Sequence, residues 1–517
     1  MAEPGTSYRL LGNSAWNAAA FLLGAGLNLV ILPFVLSRLG LAAFGIAGLV
    51  TACVTPAQAF SSSLALSTAR ELAQRLAPES GEDARRFFAA SLLLALGIGG
   101  SIAAILCLGG PPLARLVFHL GGEAAGDLWL GFAFGASGWL CQCLSAVFLA
   151  MFTARQDYFR IASINILSTI IVVAAILVLV PPRPQASTYL GCQALGFAVS
   201  LLAAFTLCRR QLSRWLARPA FHREPLRDLV NVGAWQLAAQ GGGLIAGQAD
   251  RYLLGALLAP EFVGFYTVAH RLEEAVYIGV LRIGEILFPY FSALQRESSE
   301  RKADLLFRSS WVLNVVAASA LGALIPVAGP LLHLWTGGEV ATEAQRVLVV
   351  LSIAGVLGCT TNAFAFYLLA AGRTRSNALI SFVTAVSTLA TSAVALPYFG
   401  WQAAGFSACV GMIAQSFTTT ILLRRSFSHA RIWSQVAHFV WLPLATGIVT
   451  ALALRHFIGA GLFDQTPHWW YVGGLYVLAA GIIFVVVIAV SRIGPHGAAC
   501  WRDLRVIAGR LLPIKAI

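Results

Sequence analysis

The chain has 517 residues, of which 58% are hydrophobic and only 11% are charged, with a formal net charge of +13. Soluble globular domains carry about 25% charged residues, so this composition excludes that class and indicates a membrane protein. A basic chain could also bind nucleic acid, but the positive charges here follow the predicted membrane topology. No nucleic-acid partner is therefore expected.

Long apolar blocks recur along the whole chain, each close to the roughly 20 residues that a helix needs to cross the hydrocarbon core. We predict an all-α, polytopic membrane protein with about 14 transmembrane helices and no sizeable loop that could fold as a separate soluble domain. The predicted spans are 13–37, 41–66, 87–109, 128–152, 161–181, 188–208, 229–256, 264–291, 307–331, 346–371, 376–397, 402–423, 436–454 and 470–490.

The basic residues define the orientation of these spans. An even number of spans places both termini on one side, and 27 of the 35 Lys and Arg residues lie in the termini and loops of that side. Positively charged residues stay in the cytoplasm, so both termini are predicted to be cytoplasmic. Two further arginines lie inside span eight. The opposite side holds only Arg38, Arg115, Arg183, Arg251, Arg346 and Arg455.

Landmarks of the first six spans return in the next six. Trp16 recurs as Trp235 at an offset of 219 residues, and Gly45 recurs as Gly264. Two six-helix lobes with the same orientation form a parallel repeat, related by an axis along the membrane normal. The predicted domains are the N-terminal lobe (1–217), the C-terminal lobe (218–435), two extra C-terminal helices (436–492) and a cytoplasmic amphipathic tail (493–517).

Span eight carries a stripe of charge. At 100° per residue, Arg271, Glu274, Arg282 and Glu285 share about 80° of the helix surface, whereas Glu273 points to another face. A charge in hydrocarbon costs about 2.5–3.5 kcal/mol, so such residues usually face a bundle interior or a water-filled cavity. We predict that the stripe lines a transport path. The alternative is purely structural pairing of Arg271 with Glu274 and of Arg282 with Glu285.

The roles of these charges follow from their chemistry. Arg282 is a candidate phosphate ligand, because a guanidinium binds phosphate through two parallel hydrogen bonds. Glu274 and Glu285 are alternative sites for a coupling H⁺ or Na⁺, and no other cofactor is predicted. Asp250 and Arg251, at the end of span seven near the outer surface, form either an ordinary interfacial charge pair or part of a gate.

Span two presents neutral polar side chains instead. The offset of 219 maps the charged stripe onto a part of span two that has no charge, where Thr51, Thr55, Gln58 and Ser62 form a polar stripe. Hydroxyl and amide groups suit the hydroxyls of a sugar. The sequence contains no metal-ligand cluster, P-loop or Ser/His/Asp arrangement, so neither catalytic nor metal-binding residues are predicted.

Several short motifs resemble those of the Wzx-type oligosaccharide and polysaccharide flippases, which belong to the multidrug/oligosaccharidyl-lipid/polysaccharide exporter superfamily. The resemblance extends over nearly the whole chain in order, but it consists of glycines and turn residues rather than a catalytic signature. The motifs are Asn13-Ser14-Ala15-Trp16-Asn17, Leu39-Gly40, Phe44-Gly45, Asp250-Arg251-Tyr252-Leu253-Leu254-Gly255, Val263-Gly264-Phe265-Tyr266, Ala269-His270-Arg271-Leu272, Leu287-Phe288-Pro289 and Ala371-Gly372-Arg373-Thr374-Arg375.

This resemblance implies a flippase of the bacterial inner membrane, with two six-helix lobes around a cavity that opens alternately to each side. Its cargo would be an undecaprenyl-pyrophosphate-linked oligosaccharide, moved from the cytoplasmic to the periplasmic leaflet for O-antigen, capsule or exopolysaccharide assembly. Membrane lipids, a polysaccharide polymerase and a chain-length regulator are the further partners that it suggests.

Four other functions stay open. A lipid II-type flippase has the same number of spans, but its family concentrates arginines in the N-terminal lobe. A multidrug or cation antiporter of the same superfamily would place an acid in the N-terminal lobe, whose spans lack one here. A membrane ligase or polymerase would need a larger periplasmic loop. A scaffold without transport would leave the charged stripe with no role beyond packing.

Overall fold

The computed structural model describes residues 4–75, 81–120, 124–212, 247–285, 298–427, 432–459 and 468–493, together with Leu244 and Phe291. Every regular element in these ranges is a helix, which confirms the predicted all-α class. The predicted amphipathic tail from residue 494 onward lies outside the described residues. The chain divides into two compact units, Met1–Gly264 and Phe265–Ile517.

Among its described residues, the first unit contains the helices α1 to α7 and the start of α8. A 3₁₀ turn at Thr55–Ala57 precedes α2, and a π-helical turn at Ala95–Gly99 precedes α4. Residues 247–257 are helical, and α8 begins shortly afterwards. The bounds are α1 (Pro4–Val54), α2 (Gln58–Arg75), α3 (Gly81–Leu94), α4 (Gly100–Phe118), α5 (Ala124–Ala154), α6 (Tyr158–Leu179), α7 (Ala186–Leu212) and α8 (Pro260–Glu285).

The boundary between the two units lies within α8, and the second unit begins at Phe265. A 3₁₀ turn at Cys359–Thr361 precedes α12, and a π-helical turn at Ala437–Trp441 precedes α16. The remaining bounds are α9 (Ser299–Gly322), α10 (Leu324–Thr336), α11 (Gly338–Gly358), α12 (Asn362–Ala370), α13 (Thr374–Phe399), α14 (Ala403–Ser426), α15 (Ile432–Val436), α16 (Leu442–Gly459) and α17 (Trp469–Ser491).

Among the described residues, 11 helical stretches are long and apolar enough to cross a membrane, so the chain is a multi-pass membrane protein. The count of about 14 stays a prediction. The first stretch, Leu22–Ala73, has 52 residues and could hold two of the predicted spans. The predicted domain limits at 217/218 and 435/436 also stay predictions: the first lies outside the described ranges, and the second falls inside the helix Ile432–Val436.

Gly40 turns the chain inside α1. Its φ of +76° is a left-handed conformation, which glycine adopts without the steric cost that a Cβ would bring. The remaining residues of α1 keep helical dihedral angles, so the break is confined to this position. The turn falls between the first two predicted spans, at the Leu39-Gly40 motif.

A close backbone approach joins α1 to the start of α8 within the first unit. A Cβ placed on Gly45 would lie 1.9 Å from the carbonyl oxygen of Pro260, and one on Gly264 would lie 2.7 Å from that of Leu41. In both contacts a glycine of one repeat meets one and the same position of the other repeat, because the offset of 219 maps Leu41 onto Pro260 and Gly45 onto Gly264. The two glycines of the repeat are therefore both contact positions.

An aspartate joins α5 to α7. The carboxylate of Asp127, in the first turn of α5, accepts hydrogen bonds from the backbone N–H groups of Ala186 (3.1 Å) and Ser187 (3.0 Å) at the start of α7. The first N–H groups of a helix have no partner within the helix, and a carboxylate there also interacts favourably with the helix dipole. Asp127 thus caps a helix that belongs to a different span.

Hydrogen bonds connect the π-helical turn at Ala437–Trp441 and the helix α17 to α9. Trp311 donates through Nε1 to Ser491 Oγ (3.2 Å), and Tyr476 donates to the carbonyl of Ala320 (3.0 Å). The Asn314 amide donates to the carbonyl of Phe439 (3.3 Å), which lies inside the π-helical turn. Small hydrogen-bonded contacts of this kind hold membrane helices together where the hydrophobic effect does not.

We expect Gly45→Ala to destabilise the first unit, because its methyl group has no space beside the Pro260 carbonyl. Overpacking of this kind costs about 1–3 kcal/mol. The measurement is the thermal unfolding midpoint of the purified protein in detergent.

Gly26→Ala is the matched control, since Gly26 is an exposed residue of α1 with no atom within 4 Å of its added Cβ. It should unfold at or slightly above the wild-type temperature, because alanine favours a helix over glycine. Equal midpoints for the two variants would contradict the close approach.

Candidate functional site

The helix α8 carries most of the predicted site residues, and its two faces differ in exposure. Pro260 occupies its start, where a missing N–H costs nothing, and Glu261 lies in the first turn, where negative charge is favourable. Arg271 and Arg282 are exposed, whereas Leu272 and Val280 are buried. The predicted charged stripe therefore lies along the accessible side of α8.

Glu274 lies between two basic groups on this side of the helix. Its Oε2 is 3.8 Å from Arg271 Nη1 and 3.7 Å from His270 Nδ1. The predicted pairing of Arg271 with Glu274 is therefore present, but both side chains are substantially exposed, at 46% and 38%. Exposed pairs contribute little to stability, typically below about 1 kcal/mol. Structural pairing alone does not explain these two residues.

Arg282 lies three residues from the end of α8, in its last turn, and is exposed. The predicted partner, Glu285, is the last residue of α8, and its side chain lies outside the described part of the molecule. The helix thus presents two arginines, Arg271 and Arg282, eleven positions and about 16 Å apart along its axis. Their binding of cargo stays a prediction.

Asp250 and Arg251 are buried, each only 7% exposed, in the helix over residues 247–257. The sequence suggested either an interfacial pair or a gating role, and this burial favours an internal role over an interfacial one. Arg251 donates to the side chain of Gln248 one turn earlier. Tyr252 donates to the carbonyl oxygen of Ala52 (2.7 Å), which holds this helix against α1.

The neutral stripe of the first unit is accessible, but its hydroxyl groups already donate hydrogen bonds to backbone carbonyls of their own helix. Thr51 donates to the Ala47 carbonyl (2.8 Å), and Thr55 donates to the Thr51 carbonyl (2.8 Å). Ser62 donates to the Gln58 carbonyl, also at 2.8 Å. Because each hydroxyl proton points at its own helix, these groups present oxygen lone pairs to a ligand. They are therefore suited to accept hydrogen bonds from sugar hydroxyls.

The 3₁₀ turn places part of this stripe. Pro56 has no N–H and occupies the first turn after α1, so the regular ladder is interrupted there and resumes at Gln58. Thr55 is the first residue of the turn and Gln58 follows it, and both side chains are half-buried. The helix type therefore changes at Pro56.

A buried acid of α8, Glu273, was not among the predicted site residues. Glu273 is 8% exposed, and it packs against Gly355 of α11. Its position at about 200° from Arg271 placed it off the stripe, where it drew no functional prediction. A usable signal was present in the sequence: no Lys or Arg lies three or four residues from Glu273 on the helix, whereas Glu274 follows Arg271 by three.

Two intramembrane amides act between helices of the second unit. Asn362 accepts a hydrogen bond from Tyr277 of α8 (3.2 Å), and Gln415 accepts one from Thr384 (3.2 Å). Amides of this kind more often connect helices than bind ligands. Asn362 nonetheless follows the 3₁₀ turn at Cys359–Thr361, next to the segment that Glu273 contacts.

Solved transporters have the same fold as this protein. The lipid II flippase MurJ in an inward closed conformation matches with a TM-score of 0.70 at 10% identity, covering 96% of this chain and 99% of that one. A multidrug resistance MATE family transporter of the MOP superfamily, inward-facing, matches with a TM-score of 0.65 at 16% identity, covering 80% and 94%. This chain therefore has the multi-pass helical fold of these solved transporters.

The family follows from the sequence comparisons. A family model described as "Polysaccharide biosynthesis protein" matches residues 10–295, which is more than half of the chain. The uncharacterized membrane protein EpsK of Bacillus subtilis (strain 168) is 24% identical over 348 residues, covering 65% of this chain and 67% of that protein. The chain belongs to the polysaccharide biosynthesis protein family, and the predicted assignment to the polysaccharide-flippase type is confirmed.

The exposure of the α8 charges generates a stability prediction. We expect Glu274→Gln to change the free energy of unfolding by less than about 0.5 kcal/mol, because exposed helix pairs contribute no more than that. Asp127→Ala is the positive control and should cost about 0.5–2 kcal/mol through loss of the α7 cap. Denaturation of the purified variants in mixed micelles measures both, and a large loss in Glu274→Gln would restore the structural interpretation.

Proposed function

We propose that this protein moves an undecaprenyl-pyrophosphate-linked oligosaccharide from the cytoplasmic to the periplasmic leaflet of the bacterial inner membrane. The movement occurs by alternating access and supplies the assembly of a surface polysaccharide. Both termini lie in the cytoplasm, as the distribution of Lys and Arg predicts. The observation that supports this cargo best is the pair of exposed arginines on α8, in a member of a polysaccharide biosynthesis family.

The chemistry of the two stripes suits them to different parts of the cargo, the pyrophosphate and the sugar. Arg271 and Arg282 are permanently charged and bind phosphate oxygens in a planar, bidentate geometry. The acceptor oxygens of Thr55, Gln58 and Ser62 take hydrogen bonds from sugar hydroxyls. The two arginines belong to the second unit, and the acceptor oxygens belong to the first. A polysaccharide polymerase and a chain-length regulator are the partners that would receive the cargo.

Two related cargoes serve as competing candidates. The likeness to MurJ over nearly its whole length supports a lipid II-type flippase, and the likeness to the MATE transporter supports a multidrug or cation antiporter. Lipid II shares the pyrophosphate that the arginines suit, whereas a cationic drug does not. The three cargoes therefore differ in how they depend on Arg282.

The test reconstitutes the purified protein in liposomes with a fluorescently labelled undecaprenyl-pyrophosphate oligosaccharide and follows its appearance in the opposite leaflet. We expect Arg282→Ala to reduce the rate by about 10-fold to 100-fold, since a charged hydrogen bond contributes about 1.5–3 kcal/mol. Arg282→Lys should retain part of the rate, because lysine keeps the charge but not the bidentate geometry.

Arg160→Ala is the matched control. Arg160 is an exposed arginine of α6 that pairs with Asp157 at 3.1 Å, so its loss removes a positive charge far from α8 in sequence. It should move the probe at the wild-type rate. Transport of a labelled lipid II or of a cationic dye in place of the oligosaccharide would instead support one of the competing candidates. Movement no faster than in empty liposomes would refute the proposed function.

A further inference from the structure

Glu273 lies inside the second unit with its carboxylate against the backbone of α11. A Cβ placed on Gly355 would lie 2.2 Å from Glu273 Oε1, so the absence of a side chain at Gly355 is what admits the carboxylate. The side chain of Leu321 lies 3.4 Å from the same point. The buried carboxylate therefore lies against Gly355 of α11, and Leu321 of α9 packs beside the same glycine.

Among the described residues, acids act electrostatically on this carboxylate, and a base one turn earlier on α8, His270, has its Nδ1 3.7 Å from Glu274 Oε2. The titratable groups that interact with it electrostatically are Glu274 on the same helix, Tyr277 one turn further on, and Cys359 in the 3₁₀ turn after α11. All three are acids, and the Tyr277 hydroxyl is directed to Asn362.

The first unit shows that packing does not require an acid at this position. The offset of 219 maps Glu273 onto Val54, the last residue of α1. Val54 also packs on a glycine of another span, with its Cγ2 lying 3.3 Å from a Cβ placed on Gly135 of α5. The same helix contact is thus made by valine in one unit and by glutamate in the other. A charged residue inside a membrane bundle that packing does not explain is a functional candidate.

We propose that Glu273 is a proton-binding site, and that its proton is taken up and released during the transport cycle. A buried ionised carboxylate without a cation or a donor is strongly disfavoured, whereas the protonated acid is far easier to bury. A proton needs no coordination shell, which suits a carboxylate pressed against a glycine backbone. A sodium ion would need several oxygen ligands in the same place.

This proposal deepens the proposed function, on which it rests, by assigning the coupling ion and its residue. It separates the cargo-facing acid, Glu274, from the acid that carries the proton. The sequence alone had assigned possible ion exchange to Glu274 and Glu285. The proton site belongs to one unit only, because its counterpart in the other is a valine.

The first experiment needs no cargo. Infrared spectra of the purified protein are recorded across a pH titration, and the protonated-carboxyl band is compared between variants. We expect Glu273→Gln to lose a band that the wild type retains at neutral pH, whereas Glu274→Gln keeps it. Identical bands in wild type and Glu273→Gln at neutral pH would overturn the assignment. Glu273→Val, which copies the contact of the first unit, keeps the test available if the glutamine variant unfolds.

The second experiment uses the labelled oligosaccharide in liposomes with equal pH on both sides or with a pH gradient of either sign. The gradient should change the wild-type rate, and Glu273→Gln and Glu273→Val should lose that dependence while exchange at equal pH continues. Glu274→Gln should keep the dependence.

The outcomes separate the two proposals. A wild-type protein that moves no probe refutes the proposed function, whatever the infrared titration shows for Glu273. Movement that ignores the pH gradient, or a gradient effect that survives in Glu273→Gln, overturns the proton site alone. A rate driven by a sodium gradient, and lost in Glu273→Gln, would replace the proton by sodium and equally overturn it.

Discussion

Hydrocarbon provides no water to the polar groups of a chain that crosses it, and this constraint explains most of what the helices do. Backbone N–H and C=O groups must be satisfied within the chain, so the spanning segments are helical. Side-chain hydroxyls turn back onto their own carbonyls, as in Thr51, Thr55 and Ser62. Where regular bonding is interrupted, another group takes part, as Asn314 does at the Phe439 carbonyl of a π-helical turn.

The same constraint separates the charges of α8 into two kinds. Arg271 and Glu274 lie on an accessible side of the helix, where their pairing is weak. Replacing one partner of this pair by a ligand would therefore cost little free energy. Glu273 does not, since it points into the second unit against Gly355. One helix thus presents groups suited to a changing ligand on one side and a group suited to a proton on the other.

Helical periodicity and glycine chemistry were sufficient to predict several of these features. The all-α class, the turn at Gly40 and the exposure of Arg271 and Arg282 on α8 all depend on local sequence, and the structure contains them. Burial depends on which helices are neighbours, and this is set by tertiary packing. The depth of Asp250 and Arg251, and the contact of Glu273 with Gly355, therefore could not be obtained from angles on a single helix.

The hydroxyls of Thr51, Thr55 and Ser62 bond back to their own helix, so in the polar stripe of the first unit they present oxygen lone pairs rather than protons. A surface of oxygen lone pairs attracts any partner that brings an O–H group and repels one made only of phosphate oxygens. Such a surface orients a ligand that has a sugar at one end and a pyrophosphate at the other, because it attracts only the sugar end. Binding to this surface requires only that the sugar have hydroxyls, so glycans that differ in stereochemistry would bind to it equally well.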